Sequence, residues 1–374
     1  MVSEARREQL PFVILGAAGG KRVRHMQGAR LRLGLPAATV LEWHAWLDRP
    51  AALAALLARP CGFKIETAGD DPAVHHRMHK LGCALLGRAA PDAPAFGELA
   101  GADAWFAGFS SSMHMLAEQL RELPDAQVVN APHDILTMTD KLACQQHLRA
   151  HEVPIPPLFG QIGGYAQLRG LLDEHGLDRV FVKARYGSSA SGVVAYRRNR
   201  RGAEQATSST HMVRGAGPTR LYNVKRLRTY CAHDEIVELI DLLASQHAYV
   251  EAWLPKPRAG SGHYDVRVVT LAGRPAHRVA RIGARMMTNL HLDNQRADVD
   301  LLIGQDGRSA LDGVARRAAA SFPASRIIGL DLVVHKDKAH VLEANAFGDL
   351  LPGLLWHGHD TYAAQLQEFN RHAA

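Results

Sequence analysis

The tightest constraint on this chain lies toward its C-terminus. Two short apolar runs, Gly329-Leu330-Asp331-Leu332-Val333-Val334 and Val341-Leu342-Glu343-Ala344-Asn345, flank the polar stretch His335-Lys336-Asp337-Lys338. Apolar runs of this length around a polar turn predict a buried antiparallel hairpin. Strand side chains alternate between faces, so Glu343 and Asn345 share a face, and pairing can set Asp331 beside them. Hard oxygen donors grouped in this way suit Mg²⁺, which takes one or two carboxylates and completes its shell with phosphate and water. Alone, the pattern is equally that of a hairpin with solvent-exposed acids, because antiparallel sheets commonly carry polar residues on an open face.

Composition narrows the field. A chain of 374 residues with 47% hydrophobic and 22% charged residues is long enough for two or three globular domains with proper cores. No apolar run reaches bilayer length, and Met1-Val2-Ser3-Glu4-Ala5-Arg6-Arg7 lacks the apolar core of a secretory signal. A cytoplasmic protein without a membrane partner is therefore expected. Cys61, Cys83, Cys144 and Cys231 are scattered and form no CxxC pair, so neither a zinc site nor a disulfide framework is indicated. The net charge of +7 fits either nucleic acid or a polyanionic substrate such as a nucleoside triphosphate. Basic residues are spread along the chain, with short clusters at Lys21-Arg22-Val23-Arg24 and Arg197-Arg198-Asn199-Arg200-Arg201, and aromatics are only 6%. That leaves no obvious stacking platform and disfavours nucleic acid, and the second cluster reads as a solvated hairpin edge.

The first 130 residues read as a small open α/β unit, with strands at 11–15, 38–43 and 63–66 and helices at 21–34 and 73–81. Gly16-Ala17-Ala18-Gly19-Gly20 is a tight turn that does not match GxGxxG. His75, His76 and His79 share a predicted helix, but no acid ligand is near them in sequence, so a metal role is disfavoured. Thr139-Asp140 caps a helix from Lys141 to Ala150, and His151-Glu152-Val153-Pro154-Ile155-Pro156-Pro157 is a rigid connector. Arg179 to Lys183 is a strand ending in a lysine, and Val193 to Tyr196 returns. Between them Gly187, Ser188, Ser189, Ala190, Ser191 and Gly192 form a small-residue loop whose amides can cradle phosphate, or an ordinary flexible hairpin tip. From 197 to 246 the pattern is weaker. Loops are expected at 203–209 and 215–218, a strand at 221–227 and a helix at 234–243, and the whole reads as structural elaboration, with a thickened lid or contact with substrate as the alternative. Val250-Glu251 lies in a strand that stops at Pro255, and Tyr264 to Leu271 pairs with Ala276 to Ile282 across a tight turn. Asp265 and Arg267 share a face, and charges directed into a sheet need partners, which phosphates supply.

The ordered set Thr139-Asp140-Lys141, Phe181-Val182-Lys183, the glycine-serine loop, Val250-Glu251, Asp265-Val266-Arg267, Arg281, Asn289-Leu290-His291, Gly329-Leu330-Asp331 and Leu342-Glu343-Ala344-Asn345 resembles the ATP-grasp superfamily. The nearest likeness is to its glutathione-synthetase and ribosomal-protein glutamyl-ligase branch. The resemblance covers roughly residues 128–355, and more loosely the unit before them. It implies an α/β (α+β) fold in three parts: a pre-grasp α/β domain over 1–130, a lid subdomain with its connector over 131–248, and a metal-binding subdomain over 249–374. It implies that Lys141 and Lys183 contact nucleotide phosphates, that Gly187 to Gly192 closes over them, and that Glu251 and Asp265 belong to the nucleotide site. It further implies that Asp331, Glu343 and Asn345 hold Mg²⁺, with Mn²⁺ as the substitute ion, while Arg281, Asn289 and Arg267 serve the transferred phosphoryl group.

The implied activity is ATP-dependent amide or peptide bond formation through an acyl phosphate, on an amino acid or peptide. The rival expectations are a grasp-type small-molecule kinase and a non-catalytic nucleotide-binding regulator. A homodimer is compatible with the sequence. The chain departs from the family pattern after Asn289 and after Asn345, where His291 to Arg296 and Ala346 to Gly353 replace the expected glycine pair and short loop. Both departures fall where an acceptor would bind.

Overall fold

Three sheets, each with its own helical cover, make up the computed structural model, which describes residues 10–90, 95, 97–187, 191–283, 295–348 and 351–372. The first section of chain runs β1 (Phe12–Gly16), α1 (Lys21–Arg32), β2 (Thr39–Glu42), α2 (Trp43–Asp48), α3 (Ala52–Leu56), β3 (Cys61–Ile65), α4 (Pro72–Leu85), α5 (Ala102–Arg121) and β4 (Ala126–Val128). Its strands are parallel, in the order β2-β1-β3-β4. Every residue of β1 and β3 is buried, as the near-continuous apolar reading of a two-sided parallel sheet requires. Lys64, the exception in composition, is buried with its ammonium 3.0 Å from Glu66.

Asp71 caps α4 by accepting from the Ala73 amide at 2.8 Å, and Pro72 supplies a first turn that needs no donor. α5 has no counterpart in the sequence expectations, since its glycine and three consecutive serines are weak helix formers. Packing against α4 supplies what propensity lacks. The two helices touch backbone to backbone at Gly82 and Gly108, where an added Cβ would lie 1.6 Å from the Ala104 carbonyl oxygen and 1.9 Å from that of Met78.

Next come α6 (Pro132–Thr139), α7 (Lys141–Ala150), β5 (Leu158–Gln161), α8 (Tyr165–Glu174), β6 (Arg179–Lys183), β7 (Val193–Arg198), β8 (Glu204–Val213), β9 (Arg220–Tyr230), α9 (His233–Ala244) and β10 (Tyr249–Ala252). The second sheet has the order β5-β10-β6-β7-β8-β9. Its core is its own: Val180, Val182, Val194, Tyr196 and Ala206 meet Leu168, Leu172, Ile236, Leu239 and Leu243 of α8 and α9. The loop expected at 203–209 is instead the first part of β8, and the strand expected at 221–227 extends over all of β9. The run Ala206-Thr207-Ser208-Ser209-Thr210 carries no apolar alternation, yet these residues are mostly buried, with Ser208 Oγ donating to the Val193 carbonyl at 2.8 Å. Hydrogen bonds such as that of Ser208, rather than hydrophobic patterning, hold this run in place, although Thr210 Oγ1 is buried without a partner among the described residues.

The last section contains β11 (Arg258–Ala259), β12 (Gly262–Leu271), β13 (Arg274–Gly283), β14 (Gln295–Ala297), α10 (Gln305–Ala320), β15 (Ile327–His335), β16 (Lys338–Asn345) and α11 (Thr361–His372). The order is β14-β13-β12-β15-β16, antiparallel throughout, with β11 paired to β12. One face packs Val266, Val268, Leu330, Leu332 and Val341 against Leu311, Val314 and Ala318 of α10. This core is continuous with that of the first sheet through Ile135, Met138, Cys144 and Leu148 of α6 and α7. Asn130 reinforces the join, donating to the Ile327 carbonyl at 2.7 Å and accepting from the Ile327 amide at 3.1 Å. No helix among the described residues is long and apolar enough to cross a membrane.

Candidate active-site cleft

The charged faces of the second and third sheets look into one cleft of about 920 Å³, its open mouth included. Lys141, Lys183, Glu251, Lys256, Asp265, Arg281, Asp331 and Glu343 line it, together with apolar side chains that include Met138, Phe181, Leu254 and Leu342. Strand register explains the grouping. In the third sheet Arg267 faces Asp331 across β12 and β15, Asp331 faces Glu343 across β15 and β16, and Asp265 faces Arg281 across β12 and β13. In the second sheet Glu251 pairs with Phe181 on β6, so Glu251, Phe181 and Lys183 share the face toward the cleft.

Two of the cleft lysines, Lys141 and Lys183, are each held by a glutamate carboxylate. Lys183 at the end of β6 forms an ion pair with Glu251, and Lys141 at the start of α7 forms one with Glu343. Burial pushes the Glu251 carboxyl up, against the pull of the Lys183 charge. For Glu343 burial acts in the same direction, but the charge of and hydrogen bond from Lys141 outweigh it and hold the carboxyl below its ordinary value. The two lysines are also tied to each other's elements. Asp140, the N-cap of α7, accepts from Ala143 at 3.1 Å and receives Arg185 in a fork, Nε at 2.8 Å and Nη2 at 2.6 Å, while the Lys141 amide donates to the Arg185 carbonyl at 3.1 Å. The stem of the glycine-serine loop is thereby docked on the start of α7.

A second group lies on the floor. Arg281 Nε donates to Asp265 at 2.7 Å and its Nη2 lies 2.9 Å from Asp331. Arg267 forks onto Asp331 through Nε and Nη2, the latter at 2.9 Å, and Lys256 Nζ donates to Asp265 at 2.8 Å. Burial would raise the Asp265 carboxyl, but Lys256 and Arg281 hold it far below the usual carboxylate range. Burial lowers Lys256, which Asp265 only partly offsets. Arg281 is desolvated as well, yet Asp331 and Asp265 keep it firmly charged.

Not every expected residue reaches the cleft wall. Arg267 sits behind Asp331, and Asn345 lies opposite Gly329, to whose carbonyl its amide nitrogen donates at 3.3 Å. Gly187, Ser191 and Gly192 flank the cleft without lining it. Both glycines take positive φ, and the loop base closes through the Ala184 amide on the Gly192 carbonyl at 2.7 Å. Ser188, Ser189 and Asn289 fall outside the described residues. Lys256 and Arg185 are residues the sequence reading missed, and of the two only Lys256 lines the cleft. Its signal is Pro255-Lys256-Pro257, a lysine fixed between prolines directly after the Glu251 strand.

No three His, Cys, Asp or Glu side chains converge as a metal group among the described residues. Asp331 and Glu343 face each other on adjacent strands, a pair of carboxylates of the kind that could hold Mg²⁺ with phosphate and water in the remaining positions. The donor set therefore fits a nucleotide-bound ion, which would compete with the arginines for Asp331 and with Lys141 for Glu343. Cys144 borders the cleft, but burial pushes its thiol up to about 12, so it packs and is no nucleophile.

No protein-family model matches the chain, and no curated protein matches it. Among solved structures it is similar to the ATP-grasp ligase PsnB complexed with a phosphomimetic variant of minimal precursor, Mg and ADP, at 16% identity and a TM-score of 0.55 over 98% of this chain and 99% of that one. It is similar to D-cycloserine synthetase DcsG at 13% identity and a TM-score of 0.55, covering 97% and 99%. It is also similar to D-alanine–D-alanine ligase from Bacillus anthracis complexed with ATP, at 10% identity and a TM-score of 0.54, covering 97% and 96%. At these identities the shared property is the fold: an ATP-grasp fold with an α/β unit ahead of it, over nearly the whole chain.

Proposed function

We propose that this protein is an ATP-dependent carboxylate-amine ligase that makes an amide or peptide bond and releases ADP and phosphate. The observation that carries the reading is the pairing of two phosphate-type lysines, Lys141 and Lys183, with Glu343 and Glu251 in one cleft above Arg281 and Asp331. The structural neighbours crystallised with ATP, or with ADP and Mg, support these as the ligands of the same cleft.

A carboxylate resists nucleophiles because of its own charge. Transfer of the terminal phosphoryl group of ATP to one carboxylate oxygen releases ADP and makes that oxygen part of a phosphate leaving group, which the amine displaces at the carbonyl carbon. Lys141 and Lys183 would bind the phosphates, and Asp331, Glu343 and Asn345 would hold Mg²⁺, which neutralises phosphate charge when bound. Arg281, fixed by Asp265 and Asp331, is placed to stabilise charge on the phosphoryl group in transit, with Lys256 and Arg267 keeping those two carboxylates in position. By the family resemblance, the glycine-serine loop Gly187 to Gly192, whose residues 188–190 lie outside the described ones, would close over the phosphates and keep water from the activated acyl group.

We further infer three working units, 1–130, 131–248 and 249–374, with the lid sheet taking in Tyr249–Ala252 as its hinge strand. Within the superfamily we infer a position nearest the glutathione-synthetase and ribosomal-protein glutamyl-ligase branch, a reading supported by the motifs Asp265-Val266-Arg267 and Leu342-Glu343-Ala344-Asn345. The test is ADP release over pooled amino acids and short peptides, with mass spectrometry of the products. ADP formation that requires a carboxylate and an amine, and yields a new amide, is expected. A phosphorylated product with no amine requirement would replace this reading with a kinase.

A further inference from the structure

The spread of basic residues along the sequence hides an uneven balance. The whole positive excess of the chain, +7, sits in residues 197–230, which hold nine Lys and Arg against the single acid Glu204, while the remainder balances to within one charge. That segment is the tip and outer edge of the second sheet, from the end of β7 through β9. Across all six strands the only acids are Glu204 and Glu251. Glu204 is buried among Tyr165, Tyr196 and Arg169, and Glu251 is at the cleft.

Register places part of this charge on the cleft face. Arg179 pairs with Arg197, and Arg197 with Gln205, to which it donates at 2.7 Å. Arg179 lies on the same strand face as Phe181 and Lys183, so the row Arg179-Arg197-Gln205 continues the cleft outward, and Arg200 and Arg201 follow at the exposed turn. Arg198, Arg214 and Arg220 are compensated by Asp173, by Glu235 and Glu238, and by Glu98. Arg200 and Arg201 have no acidic partner among the described residues.

We propose that this row docks an acidic stretch of a polypeptide substrate, leading its reacting carboxylate into the cleft. The proposal rests on the ligase reading and names its substrate class. Guanidinium forks match carboxylates, and the site they lead to activates a carboxylate. Nucleic acid is the poorer fit, because the aromatic side chains of the six strands are buried or half-buried, Phe181 within the cleft itself, and none stands fully exposed beside the arginine row for bases to stack on. From Arg179 to Lys183 is four strand steps, about 13 Å at a strand's rise, so the docked acids lie about four extended residues from the reacting group.

The test uses the full chain and a fluorescein-labelled poly-glutamate peptide, with single-stranded oligo-uridine as the competing probe, read by anisotropy at several salt concentrations. The variant Arg197→Gln/Arg200→Gln/Arg201→Gln is compared with Arg24→Gln/Arg316→Gln/Arg317→Gln, which removes as many exposed arginines elsewhere. Peptide affinity should fall about tenfold or more in the first variant and stay within about twofold in the second. Equal loss in both, no peptide binding by the unaltered protein, or tighter binding of oligo-uridine than of peptide overturns the proposal. Peptide binding that follows this pattern while no carboxylate ever supports ADP release would instead remove the ligase reading and leave the docking surface standing.

Discussion

Replacing Lys183 with Met separates what this side chain does for the fold from what it does for nucleotide. Lys183 is 15% exposed and Glu251, its ion-pair partner, 2%. Removing one member of a buried pair strands the other, at a cost of about 3–5 kcal/mol. Glu251 already has a raised folded pKa from burial, so its neutral form is the one the fold favours. The associated stability is present below the ordinary carboxylate range and is lost as pH rises through the folded value. Without Lys183 that value rises further, and the deficit of Lys183→Met should be larger at about pH 8 than at about pH 5. The double variant Lys183→Met/Glu251→Gln removes both charges and should regain most of the lost stability in urea unfolding. ATP affinity behaves differently: a charge-assisted contact to phosphate is worth about 1.5–3 kcal/mol, roughly 10- to 100-fold in Kd, and titration calorimetry should find it missing from single and double variants alike. Restored ATP affinity in the double variant would refute the phosphate role, because Lys183 would then have acted only by holding Glu251.

Other substitutions probe neighbouring parts. Glu343→Gln should lower turnover by about 100-fold or more with an unchanged circular dichroism spectrum, since it removes one carboxylate of the metal pair and little volume; near-normal ADP production would contradict the metal assignment. Lys256→Met removes a cation from Asp265, and the resulting drift of Arg281 should cut kcat by up to about 100-fold while KM for ATP changes little. A rise in KM alone would mean that Lys256 contacts nucleotide directly. Gly108→Ala should destabilise by about 1–3 kcal/mol or more through the contact of α4 with α5, read as a lower melting temperature. An unchanged melting temperature would show that the two helices separate at no cost.

Much of the site was legible because it rides on strands. The two-residue spacing of Glu343 and Asn345, and of Asp265 and Arg267, is a statement about faces, and the hairpin pairing of Asp331 with Glu343 follows from the turn between them. Sequence spacing says nothing of depth, however. Arg267 and Asp265 share a face, yet Arg267 lies behind Asp331 while Asp265 lines the cleft. Lys256 and Arg185 were missed because each acts from a loop, where side-chain direction has no period. In the fold, β8 was hidden by its run of hydroxyl residues, whose burial depends on bonds to neighbouring strands such as that of Ser208 to Val193. α5 was hidden by residues that are helical only because α4 packs on them. The even scatter of arginines concealed a charge segregation that becomes meaningful once β7 to β9 are seen as one edge of one sheet.

The central claim is that the cleft activates a carboxylate by transferring phosphoryl to it, and an oxygen-18 label tests that step directly. With the substrate pair identified by the ADP-release screen, the carboxylate is supplied with both oxygens labelled and the released phosphate is analysed by mass spectrometry. Attack of a carboxylate oxygen on the terminal phosphorus, followed by amine displacement at carbon, leaves one labelled oxygen in each phosphate formed. Phosphate free of label, with an amide nevertheless produced, would contradict the account.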